Sequence, residues 1–413
     1  MGVPWDVCLG PSSVRLRSSA IRDLLAVTSQ PDVISFAGGL PAPELFPIDD
    51  LRASFDAVLR ADGAASLQYG PTEGHRPLRE YLASRLSLRG IAASPDEILI
   101  TSGSQQGLDL LGAVLLDPRV TVLIEAPSYV GALQAFGRCQ PRFQTLTMDE
   151  DGLCTDELWK LVDGNQRRGL GAPAAPAVIY SVPTFQNPSG VTMSLDRRRR
   201  LLEFLAVRPL PLIEDDPYGE LRFDGRDVPP LRALPGGEDT IYLGTFSKIL
   251  APGLRLGWVV APRPVIDRLV IAKQGADLHT DSLVQRAVLH YCRHADLEAH
   301  ISRLKECYRL RRDAMRSALE RHFPSGVRWT RPEGGLFFWV TLPRSLDSQR
   351  ILADAVAQKV AFVPGTAFQA NPEESTFRHC LRLNFSNADP ARIEVGIRRL
   401  AEVVGTHLEG TPK

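Results

Sequence analysis

Lysine is almost absent from this chain. Of 48 basic side chains only six are lysines (Lys160, Lys248, Lys273, Lys305, Lys359 and Lys413); the other 42 are arginines. An excess of one charge is also lacking, because 48 acidic residues balance the basic ones and the formal net charge is zero. A chain with no basic surplus has no field to draw in nucleic acid or anionic lipid, and neither is expected as a partner. No uninterrupted apolar stretch is long enough to span a bilayer, which excludes a membrane helix from the reading. The opening residues, Met1 to Asp6, show neither the basic flank nor the apolar core of a signal peptide, so a cytoplasmic location is expected. The six cysteines (Cys8, Cys139, Cys154, Cys292, Cys307 and Cys380) are scattered and form no close pair. That argues for free thiols rather than a disulfide framework, and no metal site is expected.

What is present is enough chain for two domains: 413 residues, 44% of them hydrophobic. A short helix is predicted over Ser18–Thr28, followed by a Gly/Pro-rich stretch, 34–43, too irregular for a regular element. Helices are predicted from about Asp49 to Ala61 and around Leu78–Leu86. From residue 97 strands and helices alternate. Strands are predicted at Glu97–Thr101, Val120–Glu125, Arg142–Leu146, Ala177–Val182, Leu210–Glu214, Ile241–Gly244 and Gly257–Ala261. Between them fall helices at Ser104–Leu116, Tyr129–Gly137, Thr155–Val162 and Ser194–Ala206, with a surface loop at 164–176. The run Arg197–Arg200 sits on the last of these helices and reads as a solvated face. Such alternation implies an α/β fold: a mostly parallel, doubly wound sheet with its functional loops at the carboxyl ends of the strands. After about residue 290 the texture becomes α+β. Helices are predicted at Leu297–His322, Gln349–Gln358 and Pro390–Val404, and strands at Gly326–Thr330, Leu336–Thr341, Ala361–Val363 and Leu381–Phe385.

The stretch Thr245-Phe246-Ser247-Lys248, with Arg255 seven residues beyond the lysine, organises the chemistry. A lysine amine condenses with an aldehyde, and flanking hydroxyls with an arginine suit a phosphate beside it. Together they specify an attachment site for pyridoxal 5′-phosphate (PLP). Alone, Lys248 reads equally well as a surface lysine after a strand. In a chain that uses arginine nearly everywhere, a lysine here favours the anchor, because arginine cannot form the imine. Other loops at strand ends fit the same cofactor. Ser104 and Gln105 open a helix and make an anion site, although a Gly/Ser turn there is often only a cap. Asp215 can keep a pyridine nitrogen protonated, or act as a cap or ion-pair partner. Tyr218 and Asn187 can hydrogen-bond the ring's phenolic oxygen. Tyr129 suits ring stacking and a core position equally.

These motifs, in their order, resemble the PLP-dependent aminotransferases of fold type I, class I/II, and among them the α-aminoadipate/kynurenine aminotransferase group. The carrying segments include SFAGGLPAPELFP, QYGPTEG, TSGSQQGLDL, EAPSY, PTFQNPSG, EDDPYGEL, TFSKILAPGLRLGW, KQGADLHT, RPEGGLFFW, VAFVPGTAF and LRLNF. The resemblance spans about Ser18 to Val404. It implies an N-terminal arm with part of the small domain (1–46), a large PLP-binding domain (47–290) and a C-terminal small domain (291–413). It implies that Lys248 forms the Schiff base, Asp215 faces the pyridinium, Tyr218 and Asn187 hold the phenolic oxygen and Tyr129 stacks on the ring. Ser104, Gln105, Thr245, Ser247 and Arg255 would bind the phosphate, joined by Tyr69 from the neighbouring subunit of a homodimer. Arg382 would grip the substrate α-carboxylate, Gly39 would line the pocket, and Arg22 on a mobile helix would meet acidic side chains. The expected activity is ping-pong transfer of an amino group between an L-amino acid and a 2-oxo acid, with 2-oxoglutarate and glutamate as one pair. Elimination, decarboxylation or oxidation on the same fold is the alternative. A regulator built on such a domain would carry a DNA-binding segment upstream; the pattern already begins by Ser18, and an enzyme is expected.

Overall fold

The computed structural model describes residues 3, 5–10, 32–160, 177–371, 373 and 376–410. The predicted helix Ser18–Thr28 and Arg22 lie outside them, as does the loop 164–176. The described strands are β1 (Ile34–Ser35), β2 (Ile98–Thr101), β3 (Thr121–Ala126), β4 (Arg142–Asp149), β5 (Gly152–Leu153), β6 (Ala177–Ser181) and β7 (Leu212–Asp215). They continue with β8 (Ile241–Thr245), β9 (Gly257–Val260), β10 (Arg328–Trp329), β11 (Phe337–Thr341), β12 (Val360–Ala361), β13 (Val363–Pro364) and β14 (Cys380–Asn384).

Eight strands form one mixed sheet in the order β2-β9-β8-β7-β6-β3-β4-β5. Its centre, β4-β3-β6-β7-β8, is parallel, while β9 runs antiparallel to both β2 and β8. The central strands are apolar because both faces are covered. Side chains alternate with period two. Val122, Ile124, Val178, Tyr180 and Ile213 enter one core with the helices Ser104–Leu115 and Val130–Gly137. Leu123, Ile179 and Leu212 point the other way and meet Leu201, Leu202 and Phe204 of the helix Leu195–Val207. The carboxyl ends of β3, β6, β7 and β8 therefore point in one direction, toward a common edge.

A second, antiparallel sheet has the order β10-β11-β14-β13, and β1 pairs in parallel with β12. Phe36 bridges the two small sheets: its N–H donates to Ala361 O at 2.7 Å and its carbonyl accepts from Asn384 N at 2.9 Å. The irregular stretch predicted over 34–43 thus begins as a strand, because a partner 326 residues away at Val360 supplies the ladder. The predicted strand Ala361–Val363 divides into β12 and β13, which belong to different sheets. The predicted strand Gly326–Thr330 shrinks to Arg328–Trp329. Residues 95–97 form a 3₁₀ turn closed by a reciprocal capping box between Ser94 and Glu97, so β2 starts one residue later than predicted. Two helices, Arg263–Ala276 and Ser282–His294, were not expected from the sequence. The second starts where Asp281 accepts from Val284 N at 2.8 Å.

Candidate active site

Five strand ends converge on a cavity of about 290 Å³. Lys248 follows β8. Its Nζ donates to Gly39 O at 2.7 Å, so the N-terminal segment lies directly over the amine. Burial pulls this amine down to a pKa of about 8, and the nearby cations Arg382 and Arg255 push the same way. Asp215 ends β7 with 1% exposure. Its Oδ2 accepts from Tyr180 OH at 2.8 Å, and its Oδ1 has no partner among the described residues. Burial raises this carboxyl to about 7, against the Tyr180 hydrogen bond that lowers it; Asp216 and Glu125 push it further up. Asp216 next door is committed elsewhere, to Arg89 at 2.7 Å and Tyr242 OH at 2.9 Å. Of the two adjacent aspartates, Asp215 is the one that lines the cavity.

Asn187, in the loop after β6, ties two site groups together. Its amide donates to Tyr218 OH at 3.3 Å and its carbonyl accepts from Arg382 Nη1 at 2.8 Å. Arg382 comes from the middle of β14, opposite Trp339 and Val363. It is 1% exposed, its Nη2 donates to Ala37 O, and its plane lies 4.3 Å from the Phe337 ring centroid and 5.1 Å from that of Phe368. Among the described residues it has no carboxylate partner, and its Nε is unpaired. Burial draws even this guanidinium down to about 10. An arginine stripped of water without a counter-ion costs several kcal/mol, so the site stores a demand for an anion.

At the opposite end, Gly103 turns at φ +81°, a conformation glycine adopts freely. A Cβ there would lie 2.5 Å from Arg255 Nη2, so only glycine lets the guanidinium approach the turn that opens the helix at Ser104. Thr245 Oγ1 donates to Ser247 Oγ at 2.9 Å and accepts from Ser247 N at 3.1 Å. Gln105 spans to Gly131 O at 2.8 Å, which holds it beside Tyr129. Tyr129 stands at the start of the helix Val130–Gly137 and lines the cavity wall. Hydroxyls, an amide, a helix N-terminus and an arginine meet here, a donor set that suits a phosphate.

Ser104, Gln105, Tyr129, Asn187, Asp215, Tyr218, Thr245, Ser247, Lys248, Arg255, Arg382 and Gly39 all line this one cavity. Tyr69 does not: it is 78% exposed and meets His279 edge-on at 5.8 Å. Residues that sequence reasoning missed are Tyr180, which orients Asp215, the rings of Phe337 and Phe368 behind Arg382, and Ala37. None carries a local signal, since each is an ordinary apolar or aromatic residue in a strand or loop. The orphaned Asp215 Oδ1, the lysine amine and the phosphate-type cradle in one cavity fit PLP. Among the described residues no cluster of three His, Cys, Asp or Glu side chains is placed to hold a metal ion.

Comparison with known proteins points to the same cofactor. The family model for aminotransferase class I and II matches residues 40–400. The chain is similar to the aromatic-amino-acid aminotransferase 1 of Thermococcus litoralis, 44% identical over 97% of this chain and 94% of that protein. It is similar also to the 2-aminoadipate transaminase of Thermus thermophilus, 42% identical over 97% of each. The crystal structure of Pyrococcus horikoshii kynurenine aminotransferase, in complex with PMP and with KYN as substrate and KYA as product, superposes with a TM-score of 0.92. The identity there is 43%, over 98% of this chain and 99% of that one. The chain belongs to the class I and II aminotransferases, PLP-dependent enzymes of fold type I, and within them to the α-aminoadipate/kynurenine group.

Proposed function

We propose that the cavity carries out amino-group transfer with Lys248 as the cofactor anchor and Arg382 as the clamp on the substrate α-carboxylate, using 2-oxoglutarate and glutamate as one of the substrate pairs. The observation that carries this reading is the pairing of two unsatisfied charged atoms, Asp215 Oδ1 and Arg382 Nε, in a cavity that also holds a lysine amine. When bound, PLP supplies an aldehyde carbon for imine exchange and a protonated ring that withdraws electrons from the substrate's α-carbon. Asp215 would hold the proton on the ring nitrogen through Oδ1 while Tyr180 keeps Oδ2 turned away. Tyr218 OH and the Asn187 amide would donate to the phenolic oxygen. Tyr129 would stack on the ring, and Ser104, Gln105, Thr245, Ser247 and Arg255 would hold the phosphate. Lys248 Nζ, with its pKa drawn down to about 8, is poised to accept the substrate's α-proton and to return it. Arg382, already desolvated, would bind the carboxylate as a bidentate fork and release Asn187 or Ala37 O in exchange.

The remaining assignments are also part of this proposal. Gly39 would line the substrate side of the pocket. Arg22 would meet acidic side chains, and Tyr69 would reach the partner's phosphate across a homodimer. The division into 1–46, 47–290 and 291–413 is supported by the strands: every strand of the eight-stranded sheet lies within 98–260 and the smaller sheets draw on 34–35 and 328–384. The test is a panel of amino donors against 2-oxoglutarate, read by single-turnover absorbance, with borohydride trapping to locate the anchor. Transfer of the amino group with the adduct on Lys248 is expected; an adduct mapped to Lys273 or Lys305 would overturn the assignment.

A further inference from the structure

Lys273 is, among the described lysines, the one with no exposed surface, in a chain that otherwise favours arginine by 42 to six. It sits on the last turn of the helix Arg263–Ala276, outside the cavity, within the motif Lys273-Gln274-Gly275-Ala276-Asp277-Leu278-His279-Thr280. Its ammonium donates to Gln106 Oε1 at 2.7 Å and to Asp277 Oδ1 and Oδ2 at 2.8 and 2.9 Å. Three donors radiating from one atom meet three convergent acceptors; a planar guanidinium fork does not match that geometry.

Both acceptor residues in turn hold Ser102. Gln106 Oε1 accepts from Ser102 N at 2.8 Å, Gln106 Nε2 donates to Asp277 Oδ2 at 2.6 Å, and Ser102 Oγ donates to that same oxygen at 3.3 Å. The Ser102 carbonyl accepts from Arg255 Nη2 at 3.3 Å. Ser102 is thus held through its N–H, its hydroxyl and its carbonyl, and the chain passes directly into Gly103, Ser104 and Gln105, where Arg255 closes on the turn. We propose that Lys273 is a positioning residue for the phosphate cradle: through Gln106 and Asp277 it locks Ser102, and so sets the turn and Arg255 in the arrangement that grips the cofactor's phosphate. This rests on the reading of the cavity as a PLP site and adds to it a residue that touches neither cofactor nor substrate.

The test compares two holoenzymes, one loaded with PLP and the other with pyridoxal, which has the same ring and aldehyde but no phosphate. Cofactor release on dilution is followed for the parent, Lys273→Met and Asp277→Asn. Both variants should release PLP faster by on the order of 10- to 100-fold, the range expected when a hydrogen bond to a charged group is lost. Their release of pyridoxal should match the parent. Equal acceleration for both cofactors would show a general loosening of the fold and overturn the proposal, as would no acceleration for either. Asp277→Asn keeps the shape of the network and carries the test if Lys273→Met does not fold. A parent that retains PLP no better than pyridoxal would instead overturn the phosphate cradle itself, a failure distinct from that of Lys273 alone.

Discussion

Arg382 shows at the scale of one residue how burial creates function. In β14, between Trp339 and Val363, it is held by a rigid ladder and packed against two aromatic rings, so its fork is aimed before any substrate arrives. Loss of a charged hydrogen-bond partner in a desolvated site typically costs about 2–5 kcal/mol. Arg382→Ala should therefore lower kcat/KM for every amino donor by roughly 30-fold or more. Arg22→Ala should weaken glutamate or 2-aminoadipate selectively; an equal loss for phenylalanine would contradict that division of labour. Histidine burial gives a second prediction. Burial, with Arg286 and Arg293, pulls His75 down to about 4; Asp62 opposes this and Arg79 adds to it. The unfolded chain takes up this proton near pH 6.5 while the fold resists it, so this group's contribution to stability falls as pH drops from about 6.5 to about 4. The raised carboxyls of Glu214 and Asp215, both near 7, act with the opposite sign in the same window, because the fold takes up their protons first. The measurement is thus a difference. His75→Gln should lose less stability than the parent between pH 7 and pH 4.5 in urea titrations, and parallel curves would refute the assignment.

At the scale of the element, the ends of helices and strands carry the work. Asp389 accepts from Arg392 N at 2.9 Å and, with Pro390 in the first turn, starts the C-terminal helix Pro390–Glu409. That helix presents Ile393, Ile397, Leu400 and Val404 to the core beside β1 and β12. Asp389→Ala should lower stability by about 1 kcal/mol through the lost cap. Because Asp389 does not line the cavity, kcat and KM should stay at parental values; a change in either, with stability unaltered, would mean that the helix end does something other than anchor. The loop after β6 depends on a different device. Arg198, within the run expected to be a solvated face, instead has no exposure, because it donates to Met193 O at 3.0 Å, Pro183 O at 2.8 Å and Thr184 Oγ1 at 2.9 Å. These bonds brace from behind the loop that holds Asn187 between Tyr218 and Arg382.

At the scale of the molecule, the small and large sheets share one site: Arg382 of β14 lines the same cavity as Asp215 and Thr245 of β7 and β8. Ala37 to Gly39 lie between Lys248 and Arg382, so the site is assembled from residues at both ends of the chain. Tyr69 is exposed and does not line the cavity of its own chain, which supports its proposed role in a partner's site. Mixing Tyr69→Phe with Lys248→Ala protein should raise activity above the sum of the two separate proteins, since one composite site then contains both native residues. No recovery, or a fully active monomer by light scattering, would rule out shared sites.

The sequence by itself determined which elements form and which loops carry chemistry. Alternating apolar runs, Gly/Pro punctuation and hydroxyls beside a lysine act within a few residues, so β2 to β4, β6 to β9 and the residues at their ends were legible apart from shifts at the boundaries; the two-residue edge strand β5 was not, because only its pairing with β4 defines it. The two helices Arg263–Ala276 and Ser282–His294 were not, even though the first opens with a first-turn proline and the second with an aspartate cap. Tertiary structure alone decided the pairings between distant parts. Arg382 meets Asn187 across 195 residues, Lys248 meets Gly39 across 209, and Lys273 meets Gln106 across 167. It also decided that Asp215 lines the cavity while Asp216 turns its Oδ2 to Arg89 and Tyr242. The physical reason is range. Propensity and patterning act along the chain, whereas desolvation and hydrogen-bond satisfaction depend on what the fold brings alongside, and those two terms set Lys248 and the buried guanidinium of Arg382 apart from the other basic residues of an arginine-rich chain.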